Sequence, residues 1–199
     1  MITKKKIPIK IINKGTGAGG AQTTANGLAF EQKTSIENKL LTNNFAKIVM
    51  NKKNKNGYYL ELKKEDIKIT YVSQTGFKLY MKKEFDVDVC RKPDEAFIIY
   101  KDDKYYLKII EKKNQNVDGS VEEKLKTGKF NIREYEKMLK HKFIVSYAFC
   151  ISKFLQDKFE SKELKYNIMK EILDEDDIKL FYGDNENYFD EIFEWVNMT

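Results

Sequence analysis

Asp94, Glu111 and Lys113 combine residue types and spacing that can do chemistry, and all three lie in the stretch RKPDEAFIIYKDDKYYLKIIEKKNQ from Arg91 to Gln115. Two runs rich in Phe, Ile, Tyr and Leu flank a polar Lys101-Asp102-Asp103-Lys104 tip, the pattern of a β-hairpin. If Asp102-Asp103 is a two-residue loop, Ala96 stands opposite Ile109 and Asp94 opposite Glu111. Two carboxylates then face each other from neighbouring strands. Lys113, two residues past Glu111, returns to the same face of the sheet. Ala96, Ile98, Leu107 and Ile109 form the apolar end of that face, and Asp94, Glu111 and Lys113 the polar end.

An acid two residues before a lysine means little alone, since the chain has ten such pairs, beginning at Glu31, Glu37, Glu61, Asp66, Asp102, Glu111, Glu122, Glu160, Glu163 and Asp177. Glu111 stands apart because it ends an apolar strand and pairs through a short turn with Pro93-Asp94, the proline fixing where the first strand begins. The competing reading makes Asp94 and Glu111 rim residues paired with Lys92, Lys112 and Lys113. As a reactive site, the group suits phosphodiester hydrolysis. That reaction needs a nucleophilic water, neutralisation of transition-state charge and help for the leaving oxygen. Two carboxylates a strand spacing apart can hold one or two Mg²⁺ ions, and Lys113 can orient or deprotonate the water or contact the phosphate.

The bulk composition agrees with that chemistry without requiring it. The chain has 199 residues, 41% hydrophobic and 34% charged, which fits one globular domain with its own core. Its +6 charge comes from 37 basic against 31 acidic residues, with Arg91 and Arg133 the only arginines. A lysine excess favours a polyanionic partner, although it also follows from an AT-rich genome. No apolar run reaches membrane-spanning length, so a soluble cytoplasmic protein with no membrane partner is expected. Cys90 and Cys150 are isolated, which fits a reducing compartment and excludes a cysteine-rich zinc site. His141 is the single histidine, so two-histidine metal or acid-base sites are excluded as well.

The elements that must position the hairpin follow from pattern. Residues 4 to 12 read as an edge strand at best, interrupted by Pro8. Residues 13 to 26 form a glycine-rich loop in which Gly15, Gly17 and Gly20 match a dinucleotide-binding spacing. No alternating strand-helix pattern follows, and no Gly-Lys-Ser/Thr closes a Walker loop. Asn26 is placed to cap a helix from Gly27 to Asn44 that carries Glu31 in its first turns. Residues 46 to 89 read as strands, namely FAKIVM, YYLELK, IKITYV and FKLYM, with Asn56-Gly57 a hairpin turn. After the hairpin, Ser120 and Glu123 form a capping box for a helix through Leu125. A helix over 133–142, a fully buried strand FIVSYAFCI over 143–151 with a buried helix as the alternative reading, a helix over 153–173, a strand IKLFY and a last helix over 186–198 complete the chain. The fold expected is α/β (mixed α+β), a central mixed sheet flanked by helices. It forms a single domain over 1–199, with an arm over 1–26, a core over about 27–182 and a C-terminal helix.

Pro93-Asp94, the interval to Glu111, and Glu111-Lys112-Lys113 resemble the PD-(D/E)XK nuclease superfamily. Within it the chain is similar to a type II restriction endonuclease, also in Asn26-Gly27-Leu28-x-Phe30-Glu31 and in Gln115-x-x-x-Gly119-Ser120-Val121-x-x-Lys124. The resemblance spans roughly residues 13 to 155 and implies a restriction-endonuclease-like core. It implies that Asp94 and Glu111 are metal ligands, that the carbonyl of Lys112 is a third, that Lys113 is the catalytic lysine and that Glu31 supports the metal or its waters. Gln115 is a polar residue in line with the lysine. The implied cofactor is Mg²⁺, with Mn²⁺ able to substitute, and the implied partner is double-stranded DNA cut by a homodimer to leave 5′-phosphate and 3′-hydroxyl ends. Lys14, Gln115, Ser120, Lys124, Lys126 and Lys129 are the candidate DNA contacts. Alternatives are a junction resolvase or repair nuclease of the same fold, or a non-catalytic DNA-binding module.

Overall fold

The computed structural model describes residues 21–53, 56–115 and 121–197. The expected edge strand, most of the glycine-rich loop and the Ser120 cap lie outside these residues. Within them, seven strands form one mixed sheet, with helices on both faces as the sequence pattern predicts. Strand order follows chain order: β1 (Ala46–Val49), β2 (Tyr58–Lys64), β3 (Ile67–Ser73), β4 (Glu95–Lys101), β5 (Lys104–Lys113), β6 (Phe143–Ile151) and β7 (Ile178–Tyr182). β1 to β5 run antiparallel to their neighbours, whereas β6 is parallel to β5 and β7 to β6.

The β4–β5 hairpin has the anticipated register, pairing Ala96 with Ile109 and Lys101 with Lys104 around Asp102-Asp103. Both tip residues have positive φ, 50° and 58°, as a turn that matches strand twist requires. Aspartate tolerates that region because its short side chain bonds locally. Here Tyr100 donates to Asp103 Oδ1 at 2.7 Å, which ties the tip to the strand.

Strand alternation sends side chains into two cores. Ala96, Ile98, Leu107 and Ile109 join one, with Tyr147, Phe149 and Ile151 from β6. Phe97, Ile99 and Ile110 join the other, with Ala148 and Cys150. This explains why β6 is apolar from Tyr147 to Ile151, where both of its faces are covered; the strand expected to be fully buried is not so at its start, where Ile144 is 51% exposed. The first core is capped by α3 (Gln74–Phe85), α4 (Val121–Leu125), α5 (Gly128–Met138), α6 (Lys153–Phe159) and α7 (Leu164–Glu175). The second is capped by α1 (Ala21–Lys33), α2 (Glu37–Thr42) and α8 (Tyr188–Asn197).

Four boundaries differ from the sequence reading, one being the helix expected over 133–142, which runs instead as α5 from Gly128 to Met138. The helix expected over 27–44 starts earlier, at Ala21, and is broken into α1 and α2 at the buried Thr34, whose hydroxyl donates to Phe30 O at 2.7 Å. FKLYM is not a strand but the middle of α3: Phe77, Tyr80 and Met81 are buried at helical spacing. Five residues satisfy either period, and packing decides. The packing is close, since a Cβ on Gly76 would lie 2.6 Å from the carbonyl oxygen of Tyr58. Finally, the helix expected over 153–173 is interrupted at 160–163 and resumes as α7. No helix among the described residues is long and apolar enough to cross a membrane.

Candidate active site

The hairpin ends where its apolar face meets solvent. Pro93 is buried and its carbonyl accepts the Gln74 N–H at 3.2 Å, so the start of α3 fixes the approach to β4. Asp94 follows at the strand entrance. Its Oδ2 accepts the backbone N–H of Lys112 at 2.8 Å, which clamps the carboxylate across the hairpin beside Glu111. Glu111 and Lys113 emerge on this face, and Lys113 Nζ lies 2.9 Å from Glu111 Oε2, the two side chains being 12% and 19% exposed. The ion pair is sheltered but open to small molecules.

The electrostatics are those of a crowded anionic pair. Burial, and then the charge of Asp94, push the Glu111 carboxyl above the usual carboxylate range, while the Lys113 ammonium pulls the other way. Glu31 on α1 is raised by burial first and by Asp94 second, with Lys112 and Lys113 opposing. The structure therefore brings Glu31 within electrostatic reach of Asp94 and Lys113. The end of β5 is also tethered to α1 by Asn114 Nδ2, which donates to Asn26 O at 2.9 Å. A cleft of about 260 Å³ opens beside Glu31 and Asp94, lined also by Tyr58, Gln74, Glu95 and Lys112; Glu111 and Lys113 are not in its wall.

Among the described residues no three His, Cys, Asp or Glu side chains gather closely enough to hold a metal ion. The donor set nevertheless suits a hard divalent cation. Asp94 and Glu111 offer only oxygen, and ions such as Mg²⁺ take one or two carboxylates and complete their shell with carbonyls, water and phosphate.

The remaining candidates fall less neatly. Lys112 contributes its main chain here, but its side chain points through the sheet. Its ammonium, 3% exposed like its partner Glu95, lies 3.1 Å from Glu95 Oε1 and donates to Glu31 O at 3.0 Å. Glu95 Oε1 also accepts from Tyr71 Oη at 2.8 Å and from the Ile36 N–H at 3.2 Å. This buried pair escaped the sequence reading, although the register carried it: Glu95 faces Ile110, and Lys112 is the diagonal neighbour on that face. Gln115 is buried, its backbone bonded to Ser152 and both atoms of its amide without a partner among the described residues. Lys124 is exposed, while Lys126 pairs with Glu123 and Lys129 with Asp176. Lys14 and Ser120 lie outside the described residues.

Arg91, Tyr135 and Tyr147 were also missed. Arg91 donates to Glu134 and lowers the Glu111 carboxyl through its charge. Burial and then Glu111 hold both tyrosine hydroxyls firmly protonated. The signal for Arg91 was present, as one of two arginines and two residues ahead of Pro93. The tyrosines sit on α5 and β6, and only tertiary packing brings them in.

No family model, no characterised protein and no solved structure matches this chain. Function is therefore argued from the site alone.

Proposed function

We propose that this protein is a Mg²⁺-dependent endonuclease that hydrolyses DNA phosphodiester bonds. The reading that fits best is a sequence-specific restriction-type enzyme, cytoplasmic, cutting both strands as a homodimer and leaving 5′-phosphate and 3′-hydroxyl ends. The observation that carries it is the meeting of Asp94 and Glu111 at the polar end of one hairpin face, with Lys113 Nζ 2.9 Å from Glu111.

In this reading Asp94 and Glu111 hold the ion, and Mn²⁺ substitutes for Mg²⁺. When bound, the ion supplies neutralisation of phosphate charge and a more acidic water. The protein's own part is positioning. The Lys112 N–H fixes the Asp94 carboxylate before substrate arrives. Lys113 exchanges its Glu111 partner for a phosphate oxygen or the attacking water, and its ammonium offsets charge that develops in the transition state. Glu31, near Asp94 but on a separate helix, accepts hydrogen bonds from water in the cleft. Exposed lysines such as Lys124 hold the phosphate backbone, so binding weakens steeply with salt.

Incubation with plasmid DNA tests this directly. Discrete fragments with Mg²⁺, none with EDTA, and loss of cutting in Glu111→Ala and Lys113→Ala with DNA binding retained are the outcomes expected. Wild-type cutting rates in both variants would sink the assignment. Cutting confined to branched DNA selects a resolvase of the same fold. Binding indifferent to Mg²⁺ and EDTA, with no cleavage of any substrate, selects a non-catalytic DNA-binding module.

A further inference from the structure

The cleft beside Asp94 is an anionic recess whose wall holds a hydrogen-bond acceptor without a donor. It opens between α1, the β3–α3 corner and the entrance of β4. Among its lining residues the carboxylates of Glu31, Glu37, Asp94 and Glu95 face one ammonium, that of Lys112. Lys112 is already engaged by Glu95 Oε1 at 3.1 Å and by Glu31 O at 3.0 Å. Glu95 is 2% exposed, and its second oxygen, Oε2, accepts no hydrogen bond among the described residues. A buried carboxylate oxygen without a donor is a costly exception in a folded protein. One that belongs to the wall of a cleft can find its donor in whatever enters.

The rest of Glu95 is held still. Three donors converge on Oε1: Lys112 Nζ at 3.1 Å, Tyr71 Oη at 2.8 Å and the Ile36 N–H at 3.2 Å. They reach it from β5, β3 and the α1–α2 junction, so Oε2 stands as an acceptor set in place before any ligand arrives. Charge and size then select the occupant. Four carboxylates repel a bare phosphate, and among the described residues no three acids gather closely enough to hold a metal ion. The donor is therefore a neutral N–H. A cleft of about 260 Å³ falls short of the roughly 300–1,000 Å³ of sites for drug-sized ligands, which leaves room for one planar ring and not for a stacked pair. In a nucleic acid, the neutral, planar groups with N–H donors are the bases, and a carboxylate accepts from the exocyclic amine of a base such as cytosine.

We propose that this cleft receives one base of the bound strand, turned out of its stack, and that Glu95 Oε2 reads the exocyclic amino group of adenine or cytosine. The inference deepens the nuclease reading and rests on it for its ligand, DNA. Asp94 belongs both to the hairpin site and to the cleft wall, so the base in the cleft sits on a nucleotide close to the bond that is cut. Thymine and uracil carry a carbonyl oxygen where cytosine carries its amine. Either would leave Oε2 unpaired and facing a second acceptor, and a site built around a hydrogen bond rejects the analogue that lacks it. Glu95 thus determines specificity and takes no part in the chemical step.

Fluorescence anisotropy of labelled single-stranded DNA decamers with the full chain, in EDTA, reads this preference without cleavage. Two pairs of strands isolate the amine: adenine against purine, which lacks only the 6-amino group, and cytosine against uracil. The amine-bearing member of at least one pair binds about tenfold tighter, the discrimination of one good contact to a base edge. In Glu95→Gln the donors on Oε1 hold the amide oxygen there, so an NH₂ group takes the place of Oε2 and the preference disappears. Lys112→Met/Glu95→Gln strands neither charge and loses the preference too, so a poorly folded Glu95→Gln does not decide the matter. Far-UV circular dichroism checks that each variant is folded. Equal affinities within both pairs in the wild-type chain overturn the inference, and so does a preference that survives in the double variant. Equal affinities remove base readout and leave the nuclease reading intact. A failed plasmid digestion removes the nuclease reading and leaves readout by a DNA-binding chain.

Discussion

Replacing Lys112 by methionine strands the Glu95 carboxylate inside the protein. Both side chains are 3% exposed and their charged atoms are 3.1 Å apart, so neither charge is repaid by water when the other is removed. Breaking a buried ion pair from one side costs about 3–5 kcal/mol. Glu95 keeps the Tyr71 hydroxyl and the Ile36 N–H as donors, which places Lys112→Met near the lower end of that range. For a domain of this size each kcal/mol lowers Tm by about 2–4 °C, so the melting point falls by roughly 6–12 °C. Glu95→Gln is comparably costly because it leaves the Lys112 ammonium buried. Combining the two removes both charges while the glutamine oxygen still accepts from Tyr71 and Ile36, so the double variant is more stable than either single one. Urea denaturation followed by circular dichroism, with a common m-value, measures the cycle. A double variant whose cost equals the sum of the single costs to within about 0.5 kcal/mol would refute the argument, as additivity means the pair is not coupled.

Further predictions concern single groups. The Glu111 carboxyl is raised by burial, so folding favours its protonated form: the stability it gives is present at acid pH and lost as pH rises through its folded value. Glu111→Gln therefore raises Tm at neutral pH, by a few degrees for about 1 kcal/mol, while abolishing Mg²⁺-dependent cutting; a lower Tm contradicts it. Lys108, on β5, donates to the Trp195 carbonyl of α8, and burial brings its ammonium down to about 8. The unfolded chain then binds more protons between pH 8 and the ordinary lysine range, so wild-type stability gains over that of Lys108→Met as pH rises through this window. A constant difference between the two proteins, followed by thermal melts, would rule this out. Gly76→Ala forces a methyl against the Tyr58 carbonyl and costs about 1–3 kcal/mol by crowding, read as a lower urea midpoint.

How much of this was legible before the structure depended on how local the determinant is. The hairpin register follows from Asp102-Asp103 and the period of two, so Asp94, Glu111 and Lys113 were assignable to one face from the chain alone. β6 was readable because an element covered on both faces must be apolar, as it is from Tyr147 to Ile151. FKLYM was misread because a five-residue run with Phe77, Leu79 and Met81 alternates as well as it turns. Its helical fate is decided by Tyr80 and Met81 packing against the sheet and by Gly76 sitting on β2. The surroundings of Glu111 were illegible for the same reason: Arg91, Tyr135 and Tyr147 reach it from three separate elements.

The order of strands in the sheet also bears on how the site is born during folding. Every strand pairs with its neighbour in the chain, and three of the six pairings, β1–β2, β2–β3 and β4–β5, close through short connections that cost little to form, whereas β3–β4, β5–β6 and β6–β7 wait on longer ones. The β4–β5 hairpin closes through a two-residue turn, and hairpins form in about 1–10 µs. Asp94 and Glu111 can therefore meet early, while still surrounded by water. The burial that raises Glu111 comes later, when α5 and β6 cross back and lay Tyr135 and Tyr147 near it. Geometry precedes electrostatics in this fold: until the parallel half of the sheet has docked, Glu111 lacks the burial that raises it.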